Sequence, residues 1–485
     1  MDRIDRLTTF DPDRLAGAPD EPEPADLWGE GSGPLGQIPV RYKALTRSNI
    51  ASTPLWRRLP HELRESIQVV SAVLPFRVNE YVTDELIDWD RVPDDPIYQL
   101  TFPQRGMLEE DHYRAVADLL RRRAPADELR RTVDEIRLEL NPHPAGQLTH
   151  NVPKLDGESL TGLQHKYRET VLFFASSGQT CHAYCTFCFR WPQFVGMKGL
   201  KFAAKEAGVL VRYLQRHREV SDVIFTGGDP MTMRTAVFER YVTPLLESGL
   251  DHLSTIRIGT KAVAYWPQRF VTDPDADDLL RLYERVIASG RNLAVMGHFS
   301  HPRELSTPVA QEAIRRIRAT GAKIYMQSPV IRHVNDDSDA WSELWRTGVR
   351  LGCTPYYMFV ERDTGPKQYF ELPLWRAWRI FRNAHSRVSG LSRTVRGPVM
   401  SAFGGKVQVL GARHVMGEPV FVLRYLQARD PVLVDRPFFA KFDGKATWFS
   451  QLEPLGKEDR HFFRFHPERM KRELPLAADH TLAAG

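Results

Sequence analysis

The spacing of apolar and polar positions changes along the chain. From His61 to about Leu140, Leu, Val and Ile recur among Arg and Glu every three to four residues, most clearly at 109–123 and 127–140. That is the period of a helix with one apolar face. After Tyr167 the texture shifts. Short apolar runs at 171–175, 222–226, 254–258, 292–297, 323–327 and 355–360 predict strands, and amphipathic stretches near 202–217, 233–248, 276–290, 308–320 and 339–351 predict helices between them. Strands alternating with helices are the signature of βαβ units and a parallel sheet. Six such units fit an incomplete (β/α)6 barrel of TIM type better than a closed eightfold one. The expected fold is therefore α/β. The expected organisation is an extended Pro-rich arm at 1–60, a helical region at 61–160, the barrel at 161–390, and a C-terminal segment with a Gly-rich turn and an aromatic tail at 391–485.

A barrel carries its chemistry on the loops that follow its strands, and here those loops hold the unusual residues. The strongest signal is C-x3-C-x2-C at Cys181, Cys185 and Cys188. Three thiolates from one loop can hold three irons of a [4Fe–4S] cube and leave the fourth iron open. An open iron can chelate the amino and carboxylate groups of S-adenosylmethionine (SAM) and pass an electron to its sulfonium. Phe187, just before the last cysteine, suits packing on the adenine. This spacing with that aromatic is the mark of the radical SAM superfamily. Zinc is the competing reading, but it wants four closed ligands, and only His182 or distant Cys353 could supply the fourth. Gly227, Gly228 and Asp229 follow a strand, where the backbone and the carboxylate suit the methionyl amine of SAM; the plainer alternative makes Asp229 a helix cap. Arg190, two residues past Cys188, suits a carboxylate. Lys406 follows two glycines, where a Schiff-base lysine needs access. His298 and His301 end a strand and could face a ligand or be satisfied within the barrel mouth.

Composition narrows the class. The chain has 485 residues, a net charge of +5 and 42% hydrophobic residues. The basic excess is too mild for a nucleic-acid surface, and no apolar run is long enough for a membrane span. The N-terminus lacks the basic start and apolar core of a signal peptide. Four cysteines, three of them within eight residues, fit a cluster site in a reducing compartment better than a disulfide framework. A cytoplasmic enzyme is expected.

Several stretches, in order from about residue 96 to about residue 410, together resemble the lysine 2,3-aminomutase family. They are Gly162–Tyr167 with the cysteine motif, 226–230, 256–259 with 267–269, 298–304, 327–336, 355–357 and the turn at 404–406. The family combines SAM, a [4Fe–4S] cluster and pyridoxal 5′-phosphate (PLP) to move an amino group from Cα to Cβ. The resemblance implies that Lys406 is the PLP lysine, that Arg190 holds the substrate carboxylate and that Cys181, Cys185 and Cys188 hold the cluster. It also implies an amino-acid substrate, a reducing donor such as flavodoxin or ferredoxin, and a homo-oligomer.

The substrate positions diverge. Lysine-specific members set two aspartates around the distal ammonium. The matching positions here are Arg362, with Glu361 and Asp363 beside it, and Val399. Arg362 suits an acidic side chain, which points to a glutamate-like substrate, whereas a one-residue gap would bring in Asp363 instead. Asp337 stands where the family has a cysteine, and the family's C-terminal zinc cysteines are absent. The residues leave two alternatives open: another radical SAM reaction on the same scaffold (epimerisation, deamination or peptide modification), and a non-enzymatic iron–sulfur or zinc scaffold.

Overall fold

The computed structural model describes residues 42–141, 151–196, 202–415 and 417–465. The early part of the predicted arm therefore lies outside the described residues. The helical region follows its periodicity, with α1 (His61–Val73), α2 (Glu110–Arg121) and α3 (Ala126–Glu139). Each turns a stripe of apolar residues inward, such as Ile67, Val70 and Val73 on α1. A two-stranded pairing of Ala44–Thr46 with Arg77–Asn79 accompanies them.

Eleven strands then form one sheet whose spatial order follows the chain. They are β1 (Leu163–Tyr167), β2 (Thr170–Phe174), β3 (Asp222–Thr226), β4 (Thr255–Thr260), β5 (Asn292–His298), β6 (Lys323–Val330), β7 (Thr354–Val360), β8 (Arg396–Ser401), β9 (Gly405–Val415), β10 (Glu418–Ala428) and β11 (Pro437–Lys441). From β2 to β8 every pairing is parallel. The predicted six strands all form, and β8 adds a seventh. Helices α4 (Ala207–Arg216), α5 (Thr235–Glu247), α6 (Ala276–Ala288), α7 (Pro308–Ala319) and α8 (Ser338–Arg350) lie between them in the chain, as crossover connections require. Near-continuous burial along β5 is the mark of a parallel strand covered on both faces.

Both ends of the sheet depart from the expectation. β1 pairs antiparallel with β2, and β9 to β11 form an antiparallel extension where the sequence suggested only a turn and a tail. Helix α9 (Leu374–Ser386) precedes β8. One apolar core runs through the helical region and the barrel. A second, rich in Phe and Trp, lies under the extension and includes Phe421, Phe438, Trp448, Phe449 and Phe463. Among the described residues, no helix is long and apolar enough to cross a membrane.

Candidate active site

The cysteine loop follows β2, and the helical region clamps it. Tyr184 N–H donates to Arg77 O at 2.8 Å and Thr186 N–H to Leu100 O at 2.9 Å. The Arg77 guanidinium donates to Thr180 Oγ1 at 2.9 Å. Asn79, fully buried, donates to His182 O at 3.2 Å and to Tyr265 O at 2.9 Å. The three thiols share one neighbourhood and are half-buried. Burial pushes the Cys181 thiol well up, and the charges of Asp229, Cys188 and Cys185 add to this. Burial likewise pushes Cys185 up to about 12, opposed by the Lys261 cation. Unliganded thiols in such a place resist ionisation, and bound iron is what would hold them as thiolates. Among the described residues, no group of three His, Cys, Asp or Glu side chains could hold a single metal ion. A cube asks each thiolate for a separate iron, and three thiols on one loop are such a donor set; zinc draws four ligands onto one centre. His182 packs against Tyr42 and Trp266, which also meet each other, and burial lowers its pKa to about 3.

The Gly-rich turn after β3 is stitched to the start of that loop. Asp229 N–H donates to Thr180 O at 2.7 Å and Gly228 N–H to Gly178 O at 3.1 Å. A Cβ on Gly228 would fall on the Thr180 backbone, so only glycine lets the two segments meet. The Asp229 carboxylate is already engaged. It accepts from Thr260 Oγ1 at 2.7 Å, Lys261 N–H at 2.8 Å and Met231 N–H at 2.9 Å. It therefore caps the short turn Pro230–Thr232, and burial raises its pKa to about 6 against these bonds. The plainer of the two readings of Asp229 describes its contacts. What this turn could offer a methionyl amine is backbone.

Arg190 and Arg362 both lie against Phe189. The Arg190 guanidinium lies 4.0 Å from the Phe174 ring centroid and 5.4 Å from that of Phe189, and the Arg362 guanidinium lies 4.6 Å from Phe189. Burial lowers Arg190 to about 10; the Cys188 charge opposes this and Arg362 adds to it. Arg362 is lowered by burial, with Asp363 and Tyr167 opposing. Arg362 thus stands beside Phe189, near Tyr167 and Arg190, and Asp363 is its neighbouring counter-charge. Glu361 is buried, and the charges acting on it are those of Glu371 and Lys367.

Lys406 is the second residue of β9, paired with Ser401 at the end of β8. Its Nζ lies 4.5 Å from the Tyr357 ring centroid and 5.9 Å from that of Tyr167. Burial lowers it to about 7, helped by Arg257 and Arg396. Arg396 stacks on Tyr356 and Tyr357 at 4.5 and 4.4 Å, and Arg257 is held by Asp222, Nε to Oδ1 at 2.8 Å. The glycines before Lys406 allow close packing. A Cβ on Gly405 would strike Gln427 O and Ala428 Cα, and one on Gly404 would come within 2.8 Å of Phe465. Lys166 donates to Ala402 O; its pKa is driven well down by burial and then by Arg362, Arg429 and Lys406. A lysine half deprotonated near pH 7 and ringed by guanidiniums and phenols suits an aldehyde cofactor that carries a phosphate.

The site thus gathers Cys181, Cys185, Cys188, Arg190, Arg362 and Lys406 along the ends of β2, β7 and β8. Sequence reasoning did not single out Arg257, Arg396, Arg429, Lys166 or Tyr265 as site residues. Their side chains enter through tertiary packing, and only Lys166 and Arg257 lay inside motifs already noticed. Phe187 is buried, its ring 6.0 Å from His298 and 6.3 Å from Phe370. Burial drives the His298 pKa well down. His301 caps the turn Pro302–Leu305 through its side chain. Asp337 caps α8. Cys353 is buried apart, and its burial raises it to about 12.

No family model matches the chain. A structural likeness is found with a radical SAM methyltransferase from Sphaerobacter thermophilus, 21% identical, over 50% of this chain and 71% of that one, at a TM-score of 0.34. Among curated proteins, an "L-lysine 2,3-aminomutase" of Clostridium subterminale is 25% identical over 67% of this chain and 71% of its own length. One of the same name from Bacillus subtilis is 26% identical over 65% of this chain and 61% of its own length. A "Putative L-lysine 2,3-aminomutase" of Aquifex aeolicus is 30% identical over 401 residues, 82% of this chain and 93% of that protein. Identity at that level over almost the whole of a relative makes this chain a member of the lysine 2,3-aminomutase family, radical SAM isomerases that use a [4Fe–4S] cluster, SAM and PLP.

Proposed function

We propose that the protein is a PLP-dependent 2,3-aminomutase whose substrate is an acidic amino acid of the glutamate type. The observation that carries this reading is the pair of guanidiniums, Arg190 and Arg362, at 5.4 and 4.6 Å from the same Phe189 ring centroid. A lysine substrate would bring its ammonium against Arg362, a like-charge contact at a half-buried position and a costly one. An acidic substrate brings one carboxylate for each guanidinium, and guanidinium–carboxylate pairs are strong and directional.

When bound, the cluster with SAM supplies a hydrogen-abstracting radical, and PLP supplies the π system over which nitrogen migrates. The chain's own residues supply the rest. Cys181, Cys185 and Cys188 hold the metal. Arg190 holds the α-carboxylate beside the cysteine loop, and Arg362 holds the distal one, so the β-carbon is presented from a fixed orientation. Lys406, brought down to about 7, gives a substantial fraction of nucleophilic amine at ordinary pH. Arg257 and Arg396 offer charge for a phosphate. An external one-electron donor of the flavodoxin or ferredoxin kind belongs to the same reading.

The test is anaerobic protein reconstituted with iron and sulfide, given SAM, PLP, dithionite and a panel of amino acids, with products read by mass. β-Glutamate, or another acidic β-amino acid, is the expected product. Arg362→Ala should lower kcat/KM for the acidic substrate about ten- to a hundredfold, the weight of one or two charge-assisted hydrogen bonds. Unchanged turnover in that variant would refute the assignment. Release of 5′-deoxyadenosine with no β-amino product would point to another radical reaction on this scaffold.

A further inference from the structure

Tyr265 lies at the end of a one-turn helix, Ala262–Tyr265, just after β4. Its side chain is 1% exposed. Its hydroxyl stands 3.7 Å from Cys185 Sγ and, among the described residues, has no other hydrogen-bond partner. A buried hydroxyl needs a partner, and a cluster-bound thiolate has no proton to give. With metal in place, the phenol must therefore be the donor and the sulfur the acceptor.

The setting fixes that geometry. Asn79 ties the Tyr265 carbonyl to the His182 carbonyl of the cysteine loop, so the backbones that carry the phenol and the thiol are linked through one side chain. Behind the ring, Lys261 Nζ lies 4.5 Å from its centroid. Lys261 is anchored by Glu304 Oε1 at 2.6 Å, His298 O at 3.1 Å and Ser300 Oγ at 3.4 Å. Glu304 is fully buried. A cation and a phenol thus approach the Cys185 side of the site. Hydrogen bonds to ligating sulfurs are among the principal determinants of iron–sulfur potentials.

We propose that Tyr265 is a positioning residue that sets the reduction potential of the cluster, its hydroxyl donating to the Cys185 thiolate and so favouring the reduced state. The electron comes from the external one-electron donor and enters the cluster; no covalent bond forms or breaks at Tyr265. The proposal rests on the reading of Cys185 as a cluster ligand.

The experiment is a redox titration followed by electron paramagnetic resonance, on full-length reconstituted protein with iron and sulfide content measured first. Tyr265→Phe keeps the ring and removes the donor. Its midpoint should move negative, by about tenfold in the reduction equilibrium, or about 59 mV for one electron. Placing 3-fluorotyrosine at position 265 strengthens the donor at almost unchanged size, and the midpoint should move positive. A merely structural role predicts altered iron content or thermal midpoint without these opposite shifts. An unchanged midpoint, or a shift of the wrong sign in either protein, overturns the proposal. A wild type that binds no cluster, or a Cys185→Ala variant that binds one with unchanged signal, refutes the ligand reading and the proposal with it.

Discussion

Lys406 shows how much of a residue's chemistry comes from its surroundings. An ordinary lysine is protonated up to about pH 10, whereas burial, Arg257 and Arg396 bring this one to about 7. Both causes disfavour the charged form, so the amine is protonated below about pH 7 and free above it. Competitive trace acetylation of the protein without PLP, mapped by mass spectrometry, should show Lys406 half-reactive near pH 7. Arg396→Ala removes one repelling cation and should move that midpoint upward; a downward move would contradict the assigned cause. At this scale the sequence was informative where spacing alone carries the chemistry. Three thiols at C-x3-C-x2-C can be read with no fold in hand. Lys406 was legible only through resemblance, because one lysine after two glycines has no spacing partner. Asp229 sat between two readings, since a carboxylate after a strand can cap a turn or bind an amine, and only the bonds from Thr260, Lys261 and Met231 show which donors it has. Tyr265 carried no signal, because its partner sulfur is eighty residues away in the chain.

Among the elements, alternation was a reliable guide. Strands β2 to β7 and helices α4 to α8 lie where the apolar runs and amphipathic stretches put them, to within a few residues. A parallel strand must be covered on both faces, and its run of apolar residues is hard to mistake. The extension β9 to β11 went unread because its residues switch between apolar and charged, and its glycines drew attention as a turn. Those glycines are packing devices, and the same holds in the turn after β3. Gly228→Ala would press a methyl group into the Thr180 backbone. Backbone yields less than the end of a side chain, so the cost should be about 1–3 kcal/mol. The strain would fall on the segment that enters the cysteine loop. The expected result is a lower thermal midpoint together with reduced iron loading. Gly249→Ala, where a Cβ would meet nothing within 4 Å but φ is +63°, is the comparison: it should lose stability through backbone strain and keep its iron.

Across the whole sheet, the two halves of the site rest on different cores. The cysteine loop is built on β2 and the helical region, over the main core. Lys406 is built on the β8–β9 hairpin, which lies on the Phe- and Trp-rich core of the extension. In that second core Phe438 stacks on Phe462 at 4.5 Å and meets Tyr425 at 5.6 Å. Tyr425 in turn donates to Phe462 O at 2.8 Å and pairs in the sheet with Val407, beside Lys406. Phe438→Ala should remove about 3–5 kcal/mol from that core. The loss should be felt at the hairpin and hardly at all at the cysteines. Iron content should therefore stay near that of the wild type while PLP binding, read by the absorbance of the lysine-bound cofactor, weakens. Equal loss of both would mean that the two cores unfold as one cooperative unit. Loss of PLP alone would mean that the lysine end of the sheet opens separately, at lower cost than the metal end.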